Sequence, residues 1–305
     1  MGHTEGRGSQ SIGTSVTLAD VVVYVVVTAF LSWGLGRAVT LAPINRIARP
    51  NYRGVNLNPM LGLTVAASAL GVVVWSLIAR ALAGRWEERF GVYLWVLGAC
   101  LIVLAAGFLD DLSEGGVRGL KGHLESALRG RPTTGSVKVL AGIVAGALAV
   151  TGLPARPSWV MIAGVVMMAG CTNIWNDLDV APGRAGRAFL LFGLVVPFIS
   201  ATSAPQALMF VLVFAELPAL RYDLLEKAML GDAGANLLGL VVGMGLYAVL
   251  PDWAVAVAAV LAIGLNLVAE TVTFSKVIAS VFPLRWFDQL GTSPEWRTFS
   301  ANGGS

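Results

Sequence analysis

Charge is what this sequence has least of. Only 13% of its 305 residues are Asp, Glu, Lys or Arg, about half the share in a typical soluble domain. Hydrophobic residues make up 56%, and mean hydropathy is +0.75. Such a balance argues against a soluble domain and implies a polytopic membrane protein with no nucleic-acid partner. Cysteine is nearly absent. Cys100 and Cys171 both lie inside apolar runs, so no disulfide framework or Cys-rich metal motif is implied, and both read as small core residues. Histidine is equally scarce: His3 sits in a polar tail and His123 is alone in a loop, which does not make a zinc site. No internal repeat is visible. The first apolar run, Leu18 to Leu41, is too long for a signal-peptide core and has no small-residue cleavage site after it.

Long apolar runs are what the chain does have. Spans are predicted at about 18–41, 60–79, 91–109, 136–153, 158–175, 188–201, 205–220, 234–250 and 253–274. The expected architecture is an all-α membrane bundle of about nine helices. Residues 1–17 read as a disordered tail, 18–291 as one membrane domain and 292–305 as a C-terminal tail. With the N-terminus outside, Arg7, Arg80, Arg85, Arg89 and Arg156 fall on the outer side, and the rest of the 21 Lys and Arg fall inside. That asymmetry predicts N-out, C-in by the positive-inside rule. The acidic groups follow the inner loops, so any chemistry is expected on the cytoplasmic face of a multi-pass cell-membrane protein.

Four polar clusters interrupt the apolar pattern. Helix 3 ends in Gly107-Phe-Leu-Asp-Asp-Leu112. Adjacent carboxylates repel and resist desolvation, so the pair is either a solvated helix stop or is compensated by a cation or lysine. The loop after it, around Leu120, Leu124 and Leu128, has the spacing of a short amphipathic surface helix. Lys138 follows just inside helix 4, where it either snorkels to the interface or pairs with a carboxylate or phosphate. Helix 5 ends in Cys171-Thr-Asn-Ile-Trp-Asn-Asp-Leu-Asp179, followed by Pro182-Gly183 and by Arg184 and Arg187. Asn173, Asn176 and Asp179 recur every three residues and can share one broad face, suited to a sugar, a nucleotide or hydrated magnesium. Within the spans, Glu216, Asn266 and Glu270 face the bundle interior or join helices. The tail Phe282-Pro-Leu-Arg-Trp-Phe-Asp-Gln-Leu-Gly291 mixes aromatic and basic residues like an interfacial anchor.

The fourth cluster is Lys227-Ala-Met-Leu-Gly-Asp-Ala-Gly-Ala-Asn-Leu-Leu-Gly239. Asp232 stands where a helix N-cap is expected. The positive end of the helix dipole and the flanking glycines favour phosphate and close backbone approach. The same pattern also describes a capped membrane helix with small packing residues.

Together these clusters resemble the polyprenyl-phosphate N-acetylhexosamine-1-phosphate transferases, in family order over residues 50–290. Asp110-Asp111 is similar to the family's acidic pair and Lys138 to its lysine on the next helix. Thr172-Asn-Ile-Trp-Asn-Asp-Leu-Asp179 resembles Asn-x-x-Asn-x-x-Asp, and Gly231-Asp-Ala-Gly234 resembles Gly-Asp-x-Gly. The resemblance implies transfer of a sugar-1-phosphate from a UDP-sugar to polyprenyl phosphate. It implies catalytic Asp110, Asp111 and Lys138, and a magnesium (or manganese) ion on Asp232 and Asp111. Asn173, Asn176, Asp179, Arg184, Lys227 and Arg53 are the expected substrate-binding residues. The bilayer and, as an open option, a second copy of the chain are the expected partners.

The sequence also departs from that family. Pro182 stands at the second aspartate of its Asp-Gly-x-Asp-Gly, Ala235 replaces the serine after Gly-Asp-x-Gly, and no His-rich loop or tenth span follows helix 9. These departures argue against the translocase of peptidoglycan synthesis. Two alternatives remain: an intramembrane prenyltransferase of the UbiA type, or a non-catalytic lipid-handling homologue.

Overall fold

A computed structural model describes residues 18–42, 47–51, 54–84, 90–113, 129, 133–199 and 204–301. Long helices follow from the composition, because backbone groups without water must bond within their own segment. They are α1 (Leu18–Leu41), α2 (Leu61–Leu82), α3 (Phe90–Leu112), α4 (Thr134–Gly152), α5 (Ser158–Leu178), α6 (Arg184–Ile199), α7 (Ala204–Leu224), α8 (Gly231–Val249) and α9 (Asp252–Ala269). Three short helices close the described chain: α10 (Phe274–Ser280), α11 (Phe282–Gln289) and α12 (Pro294–Ala301). Among the described residues the only strand pairing is β1 (Arg49–Pro50) antiparallel to β2 (Asn56–Leu57).

Among the described residues seven helices, α1 to α5 with α8 and α9, are long and apolar enough to cross a membrane. Helix α6 has 16 residues, about 24 Å at 1.5 Å per residue, short of a typical hydrocarbon core. Helix α7 is longer but carries Glu216, Arg221 and Asp223. The amphipathic segment expected near 120–128, Arg53 and the tail 1–17 lie outside the described residues.

Helix α8 is the centre of the bundle. It is buried along almost its whole length and is packed by α2, α3, α5 and α6. Small residues make this possible. A Cβ added at Gly62 of α2 would lie 2.2 Å from the Gly234 Cα, so the two backbones touch. The chain before α8 is tied to the start of α2. Met229 N–H donates to Asn58 C=O (2.9 Å), Leu61 N–H to Met229 C=O (3.1 Å) and Gly62 N–H to Leu230 C=O (2.8 Å). The last two bonds satisfy the first N–H groups of α2, which no helix can satisfy internally. On the outside, α1 and α9 present large apolar side chains such as Phe30, Trp253 and Val260, as a lipid-facing surface requires.

The C-terminal segment is not a free tail. Trp296 and Ser300 of α12 are buried, and so is Asp288 of α11.

Candidate active site

The site is built where α3 ends and α4 and α8 begin. Helix α4 starts with a capping box. Ser136 N–H donates to Thr133 Oγ1 (3.2 Å), and Thr133 N–H donates to Ser136 Oγ (2.9 Å). Such a start is locally encoded and sets Lys138 in the opening turns of α4. Its ammonium donates to Asp110 Oδ2 at 3.0 Å and to Asp232 Oδ2 at 2.9 Å. Carboxylates from α3 and α8 therefore meet on one lysine of α4. The Lys138 side chain is 12% exposed, Asp110 20% and Asp232 28%. The cluster thus opens to a ligand while remaining sheltered enough for its charges to act strongly.

Asp111 does something the sequence did not suggest. Its Oδ1 accepts the N–H of Asp232 (3.0 Å) and its Oδ2 the N–H of Ala233 (3.1 Å). The carboxylate of one helix end thus caps the next helix. The cap expected from Asp232 itself is not formed: α8 begins at Gly231, Asp232 lies inside the first turn, and Leu230 at the N-cap makes no side-chain bond. Asp232 is thereby released to face Lys138. Gly231, at φ +76, makes the turn possible, and a Cβ there would lie 2.2 Å from Pro59 C=O. The end of α3 is capped in its turn. One Arg49 nitrogen donates to the carbonyls of Asp111 (2.9 Å), Asp110 (3.1 Å) and Ser113. A guanidinium suits these orphan carbonyls in charge and geometry.

Asp179 follows α5 and stands among the carboxyls of Asp223, Asp232 and Asp111. Burial pushes its carboxyl well above the usual carboxylate range, and those three neighbours push the same way. Helices α5 and α8 run antiparallel: Gly239 meets Cys171 and Gly243 meets Met168. Asn236, one turn beyond Asp232, is therefore level with Trp175 and Asn176. The side-chain oxygens of Asn176 and Asn236 are both buried and reach no hydrogen-bond partner.

Other expected site residues have other partners. Asn173 Nδ2 donates to Asn266 Oδ1 (2.6 Å), and Asn266 Nδ2 donates to Ala262 C=O (2.7 Å) and Gly170 C=O (3.1 Å). That pair joins α5 to α9. Arg184 is buried and bidentate on Asp288, through Nε at 2.8 Å and a terminal nitrogen at 3.1 Å, with a third bond to Ser275 Oγ (2.9 Å). Its guanidinium holds the C-terminal segment, where a substrate anion was expected. Lys227 is exposed on the loop before α8, and Arg53 is not described.

Arg49 and Asp288 carry roles that sequence reasoning missed. For Asp288 the available signal was the acid in an otherwise basic, aromatic tail. Among the described residues no three His, Cys, Asp or Glu side chains gather closely enough to hold a metal alone. Asp111, one of the two expected ligands, has both oxygens on backbone N–H groups. An apolar cavity of about 450 Å³ lies nearby between α1 and α2, lined by Leu35, Val39, Met60, Leu63, Thr64 and Ala67 among others. Compared with known proteins, the chain matches no family model and no curated sequence.

Proposed function

We propose that this chain is a membrane-embedded phosphoglycosyl transferase. It would move N-acetylhexosamine-1-phosphate from a UDP-sugar to a polyprenyl phosphate, at the cytoplasmic face of the cell membrane. The observation that carries this reading is the Lys138 ammonium between Asp110 and Asp232. Nothing in local packing requires residues of three helices to meet there, and an opened acid–lysine–acid cluster suits a diphosphate and a divalent ion. In this topology the chain crosses nine times, N-out and C-in, with α6 and α7 completing the count.

In the reaction, an oxygen of the acceptor phosphate attacks the sugar-proximal phosphorus of the UDP-sugar. The phosphoanhydride bond breaks, UMP leaves, and polyprenyl-diphosphate-sugar remains. A phosphate monoester is largely dianionic near neutrality, so positioning matters more than a strong base. Lys138 offsets phosphate charge, and Asp110 orients the acceptor. Asp111 keeps the N-terminus of α8 aimed at the diphosphate. The unpaired amide oxygen of Asn176 is available to a donor group of the nucleotide-sugar. The cavity between α1 and α2 offers an apolar path for the isoprenoid.

Magnesium is commonly held by one or two carboxylates, with waters and substrate phosphates supplying the rest. Asp232 with Asp110 fits that kind of site better than an all-protein cage. When bound there, the ion would polarise the diphosphate.

The test is turnover of radiolabelled UDP-N-acetylhexosamines with polyprenyl phosphate and magnesium. Label moving into the lipid phase, with UMP released, is the expected result. One observation favours a second reading: Asp179 and Asp223 lie close enough to interact, as a prenyltransferase of the UbiA type would need. Consumption of a prenyl diphosphate, with no label transferred from any UDP-sugar, would replace the first reading with that one.

A further inference from the structure

Helices α10 and α11 carry a surface that the transferase reading does not use. Helix α9 returns from the far end of α8, so α10 and α11 begin at the same end of the bundle as Asp232. Exposed side chains of these helices and of Val281 between them include Val277, Val281, Phe282, Leu284 and Trp286, with Phe282 68% and Trp286 59% accessible. At helical spacing, Phe282 and Trp286 stand opposite Asp288, which is 4% exposed. Lys276 is exposed on α10. The guanidinium of Arg285 lies 5.9 Å from the Phe282 ring centre, at the edge of the same apolar face. The one acidic residue of these two helices is Asp288, and Arg184 and Arg187 neutralise it. The outward face is therefore apolar and cationic, and in the chain it follows directly on α9, whose exposed side chains are apolar.

We propose that α10–α11 is an in-plane anchor on an anionic bilayer surface. Lys276 and Arg285 take lipid phosphates, and Val281, Phe282 and Trp286 enter the boundary of the acyl chains. Three features single out a bilayer over a protein partner. The charge is complementary to anionic headgroups. Aromatic rings beside basic side chains match the interfacial region. The face follows directly in the chain on α9, whose exposed apolar side chains already require lipid. The opposite side of α11 is fixed to the protein through Arg184, which pairs with the Asp288 carboxylate, and through Arg187, whose terminal nitrogens donate to the Phe287, Asp288 and Leu290 carbonyls. Just beyond, Ser293 Oγ donates to Glu226 Oε1 at 2.6 Å, in the loop that leads to Asp232. The anchor is thus braced against the site loop, although its binding to lipid does not depend on turnover.

The full chain is purified and placed in nanodiscs of neutral lipid, or of neutral and anionic phospholipid together. A nitroxide at position 286, attached through Trp286→Cys, reports depth by its oxygen and nickel accessibility; Cys100 and Cys171 are buried. A label in the acyl boundary is expected. Native mass spectrometry then compares retained anionic and neutral phospholipid. Each basic residue near an anionic surface contributes enough that losing two lowers the preference on the order of tenfold or more. Lys276→Gln with Arg285→Gln should therefore lose the anionic preference, while Lys276→Arg with Arg285→Lys should keep it and so control for folding. A water-exposed label overturns the anchor. Dipolar broadening between two labels overturns it in favour of an interface between copies. A label at the right depth, with a lipid preference indifferent to charge, overturns the assignment of Lys276 and Arg285.

Discussion

The Asp111 carboxylate accepts the backbone N–H groups of Asp232 and Ala233, at 3.0 and 3.1 Å. One acid of the Asp110-Asp111 pair thus builds the site and its neighbour occupies it. Adjacent residues on a helix point about 100° apart, so such a split is what the geometry allows. Asp110 turns to Lys138, and Asp111 turns to the bare first turn of α8.

The two acids should therefore fail differently. Asp111→Ala removes a charged cap from two N–H groups, one of them buried. Loss of a cap, together with an unmet buried donor, costs about 1–3 kcal/mol. A lower unfolding temperature in detergent is expected, with Asp111→Asn in between because an amide keeps one acceptor. Asp110→Asn should leave stability nearly unchanged and reduce turnover. Equal stability for Asp111→Ala and the parent chain would remove the capping role.

Lys138→Met tests the bridge. With the ammonium gone, Asp110 and Asp232 face each other without compensation, and like charges at ~4 Å repel by about 4 kcal/mol at an effective dielectric near 20. The variant should unfold at lower temperature in chelator and recover when magnesium is added. Parent protein should respond to magnesium much less. A variant as stable as the parent in chelator would show that the two carboxylates do not feel each other.

Asp232→Asn should fold normally. Helix α8 does not depend on this side chain for a cap, and an amide oxygen can still accept from Lys138. Magnesium-dependent turnover should vanish, and with it the rise in unfolding temperature on adding magnesium. A magnesium response equal to that of the parent chain would place the ion elsewhere.

The helices were legible because each apolar run is a complete local instruction. The expected spans and the observed helices agree within about five residues; the largest departures are α9, which ends at Ala269 against an expected 274, α7, which ends at Leu224 against 220, and α6, which starts at Arg184 against 188. Pro182-Gly183 marked that break correctly, but the polar first turn of α6 was invisible to an apolar pattern. The meeting of Asp110, Lys138 and Asp232 was expected from the resemblance and not from spacing, since pairs 94 positions apart leave no periodic trace. Arg184 shows the opposite failure. A basic residue after a polar cluster reads as an anion contact, yet its partner, Asp288, lies 104 positions later. Asn173 failed for the same reason: its partner Asn266 lies on another helix. Two buried polar groups find each other only in the packed bundle.

The Arg184–Asp288 pair offers the sharpest check on that last point. Both side chains are about 5% exposed, at 6% and 5%. Removing one partner leaves the other buried and charged, which typically costs 3–5 kcal/mol, although Arg187, 3.5 Å from Asp288, offsets part of that when Arg184 is the one removed; replacing both with apolar residues of similar size is often neutral. Arg184→Met alone and Asp288→Leu alone should each loosen the C-terminal segment, seen as faster proteolysis after residue 270 and a lower unfolding temperature. Asp288→Leu should be the milder of the two in one respect, because Arg184 keeps Ser275 as an acceptor and Arg187 keeps the Phe287 and Leu290 carbonyls. The double variant should recover most of the loss, with a coupling energy of about 1–3 kcal/mol in a double-mutant cycle. Strictly additive losses would mean that the two side chains act independently. In that case the docking of α11 would rest on the carbonyl bonds of Arg187, and Arg187→Met would be the variant that releases the segment.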